Sequence, residues 1–169
     1  SLLDVYLHHQ WLPDAWIAGN FSNIQGGTNI DVVFADAIVK ELKGFDYSLA
    51  YEAIRKNAAD TSPRPDIFGR YIEDYNTYGF LVKDTIKGRV SRSLEYAYND
   101  YCIASVAKHL GHEDDYNRFK ERSLQIFELF HSEHKYFWAK DSNGEWEPGF
   151  SLHSKRADHW NDPYFYEGG

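Results

Sequence analysis

The stretch that decides the fold is SRSLEYAYNDYCIASVAKHLG, residues 91–111. Apolar and aromatic residues recur in it at intervals of three and four, which places them on one face of an α-helix. Ser91 or Ser93 can cap the start of this helix, and Gly111 ends it. The residues of the predicted buried stripe are Leu94, Ala97, Tyr98, Tyr101, Cys102, Ser105, Val106 and Leu110.

Three more helices are predicted around this one. A helix that begins at Glu113 or Asp114 and runs to about residue 130 follows directly, and Tyr116, Phe119, Leu124, Phe127 and Phe130 are its inward side chains. Upstream, the same periodicity predicts a helix over residues 29–42 and another that ends near residue 59, with Asp46 or Ser48 as its cap. Short connections join the helices into two antiparallel hairpins. The pattern predicts a mainly α fold, with the two hairpins as part of a toroid of helix pairs.

The remaining segments carry weaker signals. The first thirty residues are rich in turn formers and predict irregular structure, and residues 60–88 contain helix breakers and predict a long loop. Asp141-Ser142-Asn143-Gly144 lies between two short aromatic runs and predicts the turn of a β-hairpin. Residues 149–169 are expected to be irregular and aromatic.

Composition excludes several classes of protein. The 169 residues carry a net charge of -8 and contain no basic stretch, which argues against a nucleic-acid binder. No apolar run approaches the roughly 18 residues of a membrane span, and a single Cys cannot form an intrachain disulfide. The chain lacks Met, so we expect Ser1 to follow processing or to lie inside a longer protein. The 13 Tyr, 11 Phe and 5 Trp suit a large core or the lining of a sugar-binding cleft.

Carboxylates are the strongest candidates for chemistry. Glu167 follows Tyr164-Phe165-Tyr166, and an acid among aromatic rings has a raised pKa, as a general acid of a glycosidase requires. A surface acid near the chain end is the alternative. Asp31 is most simply an acid at a helix N-terminus, and Asp36 a buried polar partner. On the long helix, Glu95 and Asp100 are interpreted as structural ion-pair partners rather than substrate contacts.

Metal binding receives little support from the residues themselves. His109 and His112, and likewise His131 and His134, are three residues apart, but both pairs lie at predicted helix ends and lack an evident third ligand. Helix-end histidines are therefore the favoured interpretation.

Several segments together resemble glycoside hydrolase family 92, the exo-acting α-mannosidases. Residues 88–104 are similar to the signature helix of this family, and residues 11–13 with 26–37 resemble its loop-then-helix segment. Residues 44–46 and 50–54 continue the similarity, and Tyr166-Glu167-Gly168 resembles the family's catalytic-acid motif.

The resemblance implies a fold and a mechanism. The family has a β-sandwich domain followed by an (α/α)6 toroid, binds calcium at the active site and inverts the anomeric carbon. By this resemblance, residues 1–169 are part of the toroid, and the β-sandwich and the rest of the toroid lie outside the chain. Glu167 matches the general acid, whereas the general base and the calcium ligands are expected mainly beyond the chain. Trp16, Asn29 and Asp31 are predicted to lie in the cleft and bind substrate.

The expected function is hydrolysis of terminal α-linked mannose, of α-1,2 linkage, by a secreted or extracytoplasmic enzyme. Its partners would be a mannose-containing glycan and the rest of its own catalytic domain, and the isolated chain is expected to be inactive. The alternative is a non-catalytic helical module that binds a glycan or a protein through its aromatic loops. Two departures from the family affect the predicted linkage. Gly169 stands where the family usually has Asn or Ser, and Gly26–Asn29 is closer to fungal-type members.

Overall fold

The computed structural model describes residues 1–17, 19–22, 26–82, 86 and 88–148. Its elements, in chain order, are α1 (Leu2–His9), β1 (Ala15–Ile17), β2 (Asn20–Ser22), α2 (Asn29–Val39), α3 (Tyr47–Ala59), α4 (Ile72–Tyr78), α5 (Arg89–Leu110), α6 (Glu113–Leu124), a 3-10 turn (Gln125–Leu129), β3 (Phe130–His131) and β4 (Tyr136–Phe137). The prediction of a mainly α chain with helical hairpins is confirmed.

The two predicted helical hairpins are α2–α3 and α5–α6. Asp46 caps α3, because its Oδ1 accepts a hydrogen bond from the backbone N–H of Leu49 at 3.0 Å. Helix α5 contacts α6, α2 and α3, so it joins the two hairpins. The largest cluster of buried apolar side chains lies between these helices and includes Ile38, Ile54 and Ile103.

The first thirty residues are more regular than predicted. Ser1 and Asp4 form a capping box at the start of α1, and Tyr6 packs into the core while its hydroxyl donates to Glu52 of α3 at 2.8 Å. Strands β1 and β2 then form a small antiparallel hairpin in which Trp16 lies opposite Phe21. The prediction of irregular structure is wrong here, since it gave no weight to the Ser1–Asp4 spacing.

Among its described residues, the segment 60–88 contains one short helix where the sequence predicted a loop. Helix α4 ends at Gly79, whose φ of +76° favours glycine. A Cβ at this position would come within 2.4 Å of the Cβ of Gln125, so the helix end packs directly on the 3-10 turn. Only glycine satisfies both requirements.

Helix α5 has nearly the predicted length, but its buried face is rotated. Tyr98 and Tyr101 of the predicted stripe are 54% and 59% exposed, whereas Tyr96, Asn99 and Asp100 are completely buried. The polar partners of Asn99 and Asp100 lie inside the fold, and they determine which side of the helix faces inward.

The C-terminal described segment also differs in detail. Helix α6 ends at Leu124, and residues 125–129 continue as the 3-10 turn, so that Leu124 and Phe127 are exposed rather than inward. The turn at 141–144 is formed as predicted, with Gly144 at a φ of +82°. The arms of this turn are joined by the bridge between Lys140 and Trp146 and by backbone hydrogen bonds from Asp141 to Glu145 at 2.9 Å and from Glu147 to Ala139 at 3.0 Å. Strand β4, just before it, pairs with β3.

Candidate active-site surface

The segments of two predicted site residues, Trp16 and Asn29, are linked by Asp14. The side-chain amide of Asn29 donates to Asp14 Oδ1 at 3.0 Å, and the Asn29 backbone N–H also points to this atom. Asp14 is buried and comes directly before β1, which carries Trp16. The contact therefore fixes the β1–β2 hairpin relative to the N-terminus of α2.

The ring of Trp16 is exposed and packs against a cluster of aromatic side chains. Its side chain is 57% exposed, and its ring centroid lies 5.6 Å from that of Phe21 across the hairpin. Phe21 in turn contacts the rings of His9 and Phe68, at 5.2 and 5.5 Å. An exposed indole held by other rings is rigid and loses little conformational entropy when a ligand packs on it.

The turn before Asn29 packs closely against α5. Thr28 is completely buried, and its backbone N–H donates to the side-chain oxygen of Asn99 at 2.9 Å. A Cβ on Gly27 would lie 3.1 Å from the Cβ of Glu95, so the backbone approaches the helix as closely as glycine allows. The N-terminus of α2 thus packs directly against α5.

Asp31, the third predicted substrate-binding residue, lies beneath this surface. Its side chain is completely buried, and one carboxylate oxygen accepts hydrogen bonds from the hydroxyl of Thr28 and from Arg70 Nη2, the latter at 3.0 Å. The other oxygen faces the amide of Asn57 at 3.4 Å. The Asp31 carboxylate is therefore surrounded by protein donors, and one of them is the hydroxyl of Thr28.

A chain of buried charges extends from Asp31 across the fold. Arg70 donates to Asp31, to the Thr28 hydroxyl at 3.0 Å and to Asp100 Oδ1 at 2.7 Å. Asp100 also accepts from Arg122 of α6 at 2.6 and 2.8 Å, which confirms its interpretation as a structural ion-pair partner. We call Asp31, Arg70, Asp100 and Arg122 the buried ionic chain. Its charges balance, as buried charges require.

The two charges at the start of the buried ionic chain respond differently to burial. Desolvation raises the pKa of Asp31 to about 6, although Arg70, Thr28 and Asn57 all act to lower it. Burial also acts to lower the pKa of Arg70, but the carboxylates of Asp100 and Asp31 outweigh it and hold the pKa above its ordinary value. Arg70 stays charged and is shared between two carboxylates, whereas Asp31 titrates in the mildly acidic range.

We predict opposite pH dependences for Asp31 and Asp115. Because the folded-state pKa of Asp31 is raised, its contribution to stability is complete below pH 4 and is lost as the pH rises towards 6. Asp31→Asn should therefore be less harmful, relative to the natural chain, at pH 7 than at pH 4.5. Urea unfolding at both pH values measures this difference.

Asp115 supplies the matched control. Its pKa is lowered by hydrogen bonds from Arg55 and Tyr51, which outweigh the effect of desolvation, so its contribution is present at neutral pH and is lost on acidification. Asp115→Asn should be about equally harmful at pH 7 and at pH 4.5, because both lie above the ordinary carboxyl pKa of 3.8, and it should become less harmful only at lower pH. A change between pH 4.5 and pH 7 as large for Asp115→Asn as for Asp31→Asn would contradict the assignment of Asp31.

Other predicted residues lie at different places. Glu167 falls outside the described residues. Asp36 is exposed and pairs with Lys40 rather than being buried. Arg70, Arg122, Asn57 and Thr28 were not predicted as site residues. Apart from Asp31, three residues from Thr28, their partners are 22 to 71 residues away, and periodicity reports only local spacing.

The described residues do not fit a calcium site. They contain no group of three or more His, Cys, Asp or Glu side chains that could hold a metal ion. The buried carboxylates of Asp31 and Asp100 already accept hydrogen bonds from arginines, so their oxygens are not available as metal ligands. In the same part of the chain, every helix is too short or too polar to cross a bilayer.

The paired helical hairpins place this chain in the class of α/α-toroid folds. The chain belongs to glycosyl hydrolase family 92: the model of the family's catalytic domain matches residues 1–169. The resemblance drawn from the sequence is thereby confirmed.

Known relatives agree with this assignment. A protein of Arthroderma benhamiae named as an uncharacterized secreted glycosidase is 36% identical over 147 residues, which cover 80% of this chain and 19% of that protein. The structure of a family GH92 α-mannosidase from Bacteroides thetaiotaomicron in complex with mannoimidazole matches with a TM-score of 0.78 at 40% identity, over 89% of this chain and 19% of that one. An inverting mannosidase of the same family and organism matches with a TM-score of 0.79 at 25% identity, over 89% and 20%. The chain thus spans about a fifth of the length of these relatives.

Proposed function

We propose that residues 1–169 form one part of the catalytic domain of an exo-α-mannosidase that removes terminal mannose, of α-1,2 linkage, with inversion. The observation that carries this proposal is the match of the whole chain to the family's catalytic domain. The two structural relatives are described as an α-mannosidase with bound mannoimidazole and an inverting mannosidase. Extension of their activity to this chain is consistent with its exposed indole and helix-start amide.

Trp16 and Asn29 would contact the sugar. Carbohydrate rings have apolar C–H faces, and an indole that is ordered but exposed offers such a face a flat surface. The Asn29 amide nitrogen is bound to Asp14, which directs the side-chain oxygen away from that carboxylate, and no described residue donates to this oxygen. It could accept a hydrogen bond from a sugar hydroxyl.

Glu167 would act as the general acid. It would donate its proton to the glycosidic oxygen as the bond to the anomeric carbon breaks, so that the leaving group departs as a neutral alcohol. Inversion also requires a carboxylate base about 6.5–9.5 Å from the acid, to deprotonate the attacking water on the opposite face of the sugar. We assign that base to the part of the domain outside this chain.

Asp31 would support the site through Thr28. Its carboxylate binds the Thr28 hydroxyl, and the Thr28 backbone is fixed on Asn99, immediately before Asn29. A site held by rigid neighbours keeps its groups in productive geometry. We therefore interpret Asp31 as a positioning residue.

The same proposal includes a calcium ion at the active site, an extracytoplasmic location and two binding partners. Calcium would be held by oxygen ligands outside the described residues, and a hard cation of this kind can bind sugar hydroxyls. The fungal relative is named as secreted, which supports an extracytoplasmic location. The partners would be a mannose-containing glycan and the rest of the catalytic domain.

The test is release of mannose from α-1,2-mannobiose by the full-length protein that contains this chain, followed by NMR. We expect β-mannose to appear first, because attack from the opposite face inverts the anomeric carbon. α-Mannose as the first product would exclude inversion, and binding without turnover would favour a non-catalytic glycan module. Robust turnover by residues 1–169 alone would contradict the proposal that they are only part of the domain.

Replacing Trp16 should weaken substrate binding. We predict that Trp16→Ala in the full-length protein raises KM by about tenfold, since loss of one aromatic stacking contact costs on the order of 1 kcal/mol or more. Trp146→Ala removes the same side chain from the turn around residues 141–144 and serves as the control. An equal rise of KM in both variants would show that Trp16 does not contact the sugar.

A further inference from the structure

The chain contains one acceptor sequence for N-linked glycosylation. Asn20-Phe21-Ser22 matches the pattern Asn-X-Ser/Thr in which X is not Pro, and none of the other asparagines is followed by Ser or Thr two positions later. A pattern of three residues also arises by chance. The position of Asn20 in the fold therefore decides whether it suits a glycan.

The fold places Asn20 at the surface, next to the turn of the β1–β2 hairpin. Asn20 is the first residue of β2, and it follows Gly19, whose φ is +81°. The structure classes Asn20 as exposed. An N-linked oligosaccharide is bulky and hydrophilic, so a folded protein accommodates it on surface turns and loops. Asn20 meets this requirement.

The register of the hairpin directs Asn20 away from the aromatic cluster around Phe21. Asn20 pairs with Ile17, and Phe21 pairs with Trp16. Because successive residues of a strand point to opposite faces of the sheet, Asn20 and Phe21 lie on opposite faces. The ring centroid of Phe21 lies 5.6 Å from that of Trp16 and 5.5 Å from that of Phe68. A glycan on Asn20 would therefore extend from the outer face and leave the Trp16 ring uncovered.

We propose that Asn20 is the attachment site of an N-linked oligosaccharide, which projects from the face of the hairpin opposite Trp16. In the transfer step, the Asn20 amide nitrogen forms a bond to the anomeric carbon of a lipid-pyrophosphate-linked oligosaccharide. The bond from that carbon to the pyrophosphate oxygen breaks, the lipid pyrophosphate leaves, and the amide nitrogen loses one proton.

The proposal rests on the extracytoplasmic location proposed above, because this modification takes place on secreted proteins. The fungal relative, 36% identical over 147 residues, is named as a secreted glycosidase. An unused acceptor sequence is the alternative, and it is an outcome of the test below.

Mass spectrometry tests the attachment without any substitution. The full-length protein that contains this chain is secreted from a yeast host, and endoglycosidase H then trims its N-linked glycans to a single N-acetylglucosamine. The tryptic peptide that contains Asn20 should carry sugar on Asn20 in most molecules. An unmodified Asn20 in the secreted protein would overturn the proposal.

Substitutions test the specificity of the acceptor. Asn20→Gln and Ser22→Ala should each abolish the modification of this peptide, whereas Ser22→Thr should retain it, because the hydroxyl two positions after the asparagine is part of the acceptor. The control is Asn143→Gln, which removes an exposed asparagine of the turn at 141–144 that no Ser or Thr follows at the required spacing. It should leave the glycan on Asn20 unchanged. A modification that survives Ser22→Ala would overturn the proposal, and the measurement on the unsubstituted protein decides if a variant is not secreted.

Removal of the glycan from the native protein tests its orientation. KM for α-mannobiose should stay within about twofold of that of the untreated protein, because the glycan and Trp16 lie on opposite faces. A larger change would overturn the proposed orientation. An occupied Asn20 in a protein that hydrolyses no mannoside, before or after removal, would uphold the attachment site while contradicting the proposed function.

Discussion

Glu167→Gln in the full-length protein is expected to reduce the hydrolysis of an unactivated α-mannobiose by about 10³-fold. The substitution keeps the size of the side chain but removes the proton that the departing sugar oxygen would receive. The loss should be much smaller for an aryl mannoside with an acidic phenol as leaving group, because such a phenolate departs without protonation. Steady-state kinetics with both substrates measures the contrast.

The matched control is Glu128→Gln. Glu128 is an exposed acid of the 3-10 turn, and it should tolerate the same change without loss of kcat/KM for either substrate. Glu167→Gln should also remove the basic limb of the pH–rate profile, which reports the ionisation of the general acid. Unchanged activity, or an equal loss with both substrates, would assign the acid to another residue.

Asp100→Ala is expected to lower the free energy of unfolding by about 3–5 kcal/mol. Asp100 is completely buried and accepts hydrogen bonds from two guanidinium groups, Arg70 and Arg122. Its removal leaves Arg70 with Asp31 but takes away the carboxylate that Arg122 contacts, and the cost is mainly that of this buried charge left without its ion-pair partner. Urea denaturation monitored by circular dichroism measures the difference.

Asp66→Ala is the corresponding control at the surface. Asp66 also pairs with an arginine, Arg64, but both side chains are more than half exposed, so water replaces the lost contact and little change is expected. Asp100→Asn distinguishes charge from packing, because it preserves shape. If Asp100→Asn and Asp66→Ala were equally mild, the buried ionic chain would contribute little to stability.

The helical hairpins could be predicted because their signals are local. Apolar periodicity, Asp46 as a cap and Gly111 as a stop all act within a few residues, and they place α2, α3, α5 and α6 close to their observed bounds. Helix α4 escaped prediction because its seven residues lie among prolines and glycines. The rotation of α5 was missed because hydrophobicity favoured Tyr98, whereas the ionic partners of Asp100 determine the buried side.

The candidate site also contains residues that could be predicted from the sequence and residues that could not. Trp16 and Asn29 were selected by resemblance, and the contact that links their segments spans only 15 residues. Thr28, by contrast, depends on Asn99, which is 71 residues away, and on Arg70, which is 42 residues away. No spacing rule connects such residues before the fold is known. The sequence accordingly carries no indication that Asp31 is completely buried beside Thr28 and Arg70.

The buried ionic chain also has a consequence for the order in which the protein folds. Burial of the Arg70 guanidinium is costly until it is paired with both Asp31 and Asp100, which are 39 and 30 residues away in sequence. Its contacts should therefore form after the rate-limiting step, while the helical hairpins form before it. Substitutions in the buried ionic chain would then accelerate unfolding and leave the refolding rate almost unchanged. The lifetime of the native state, rather than the speed of its formation, would be the property that these four residues control.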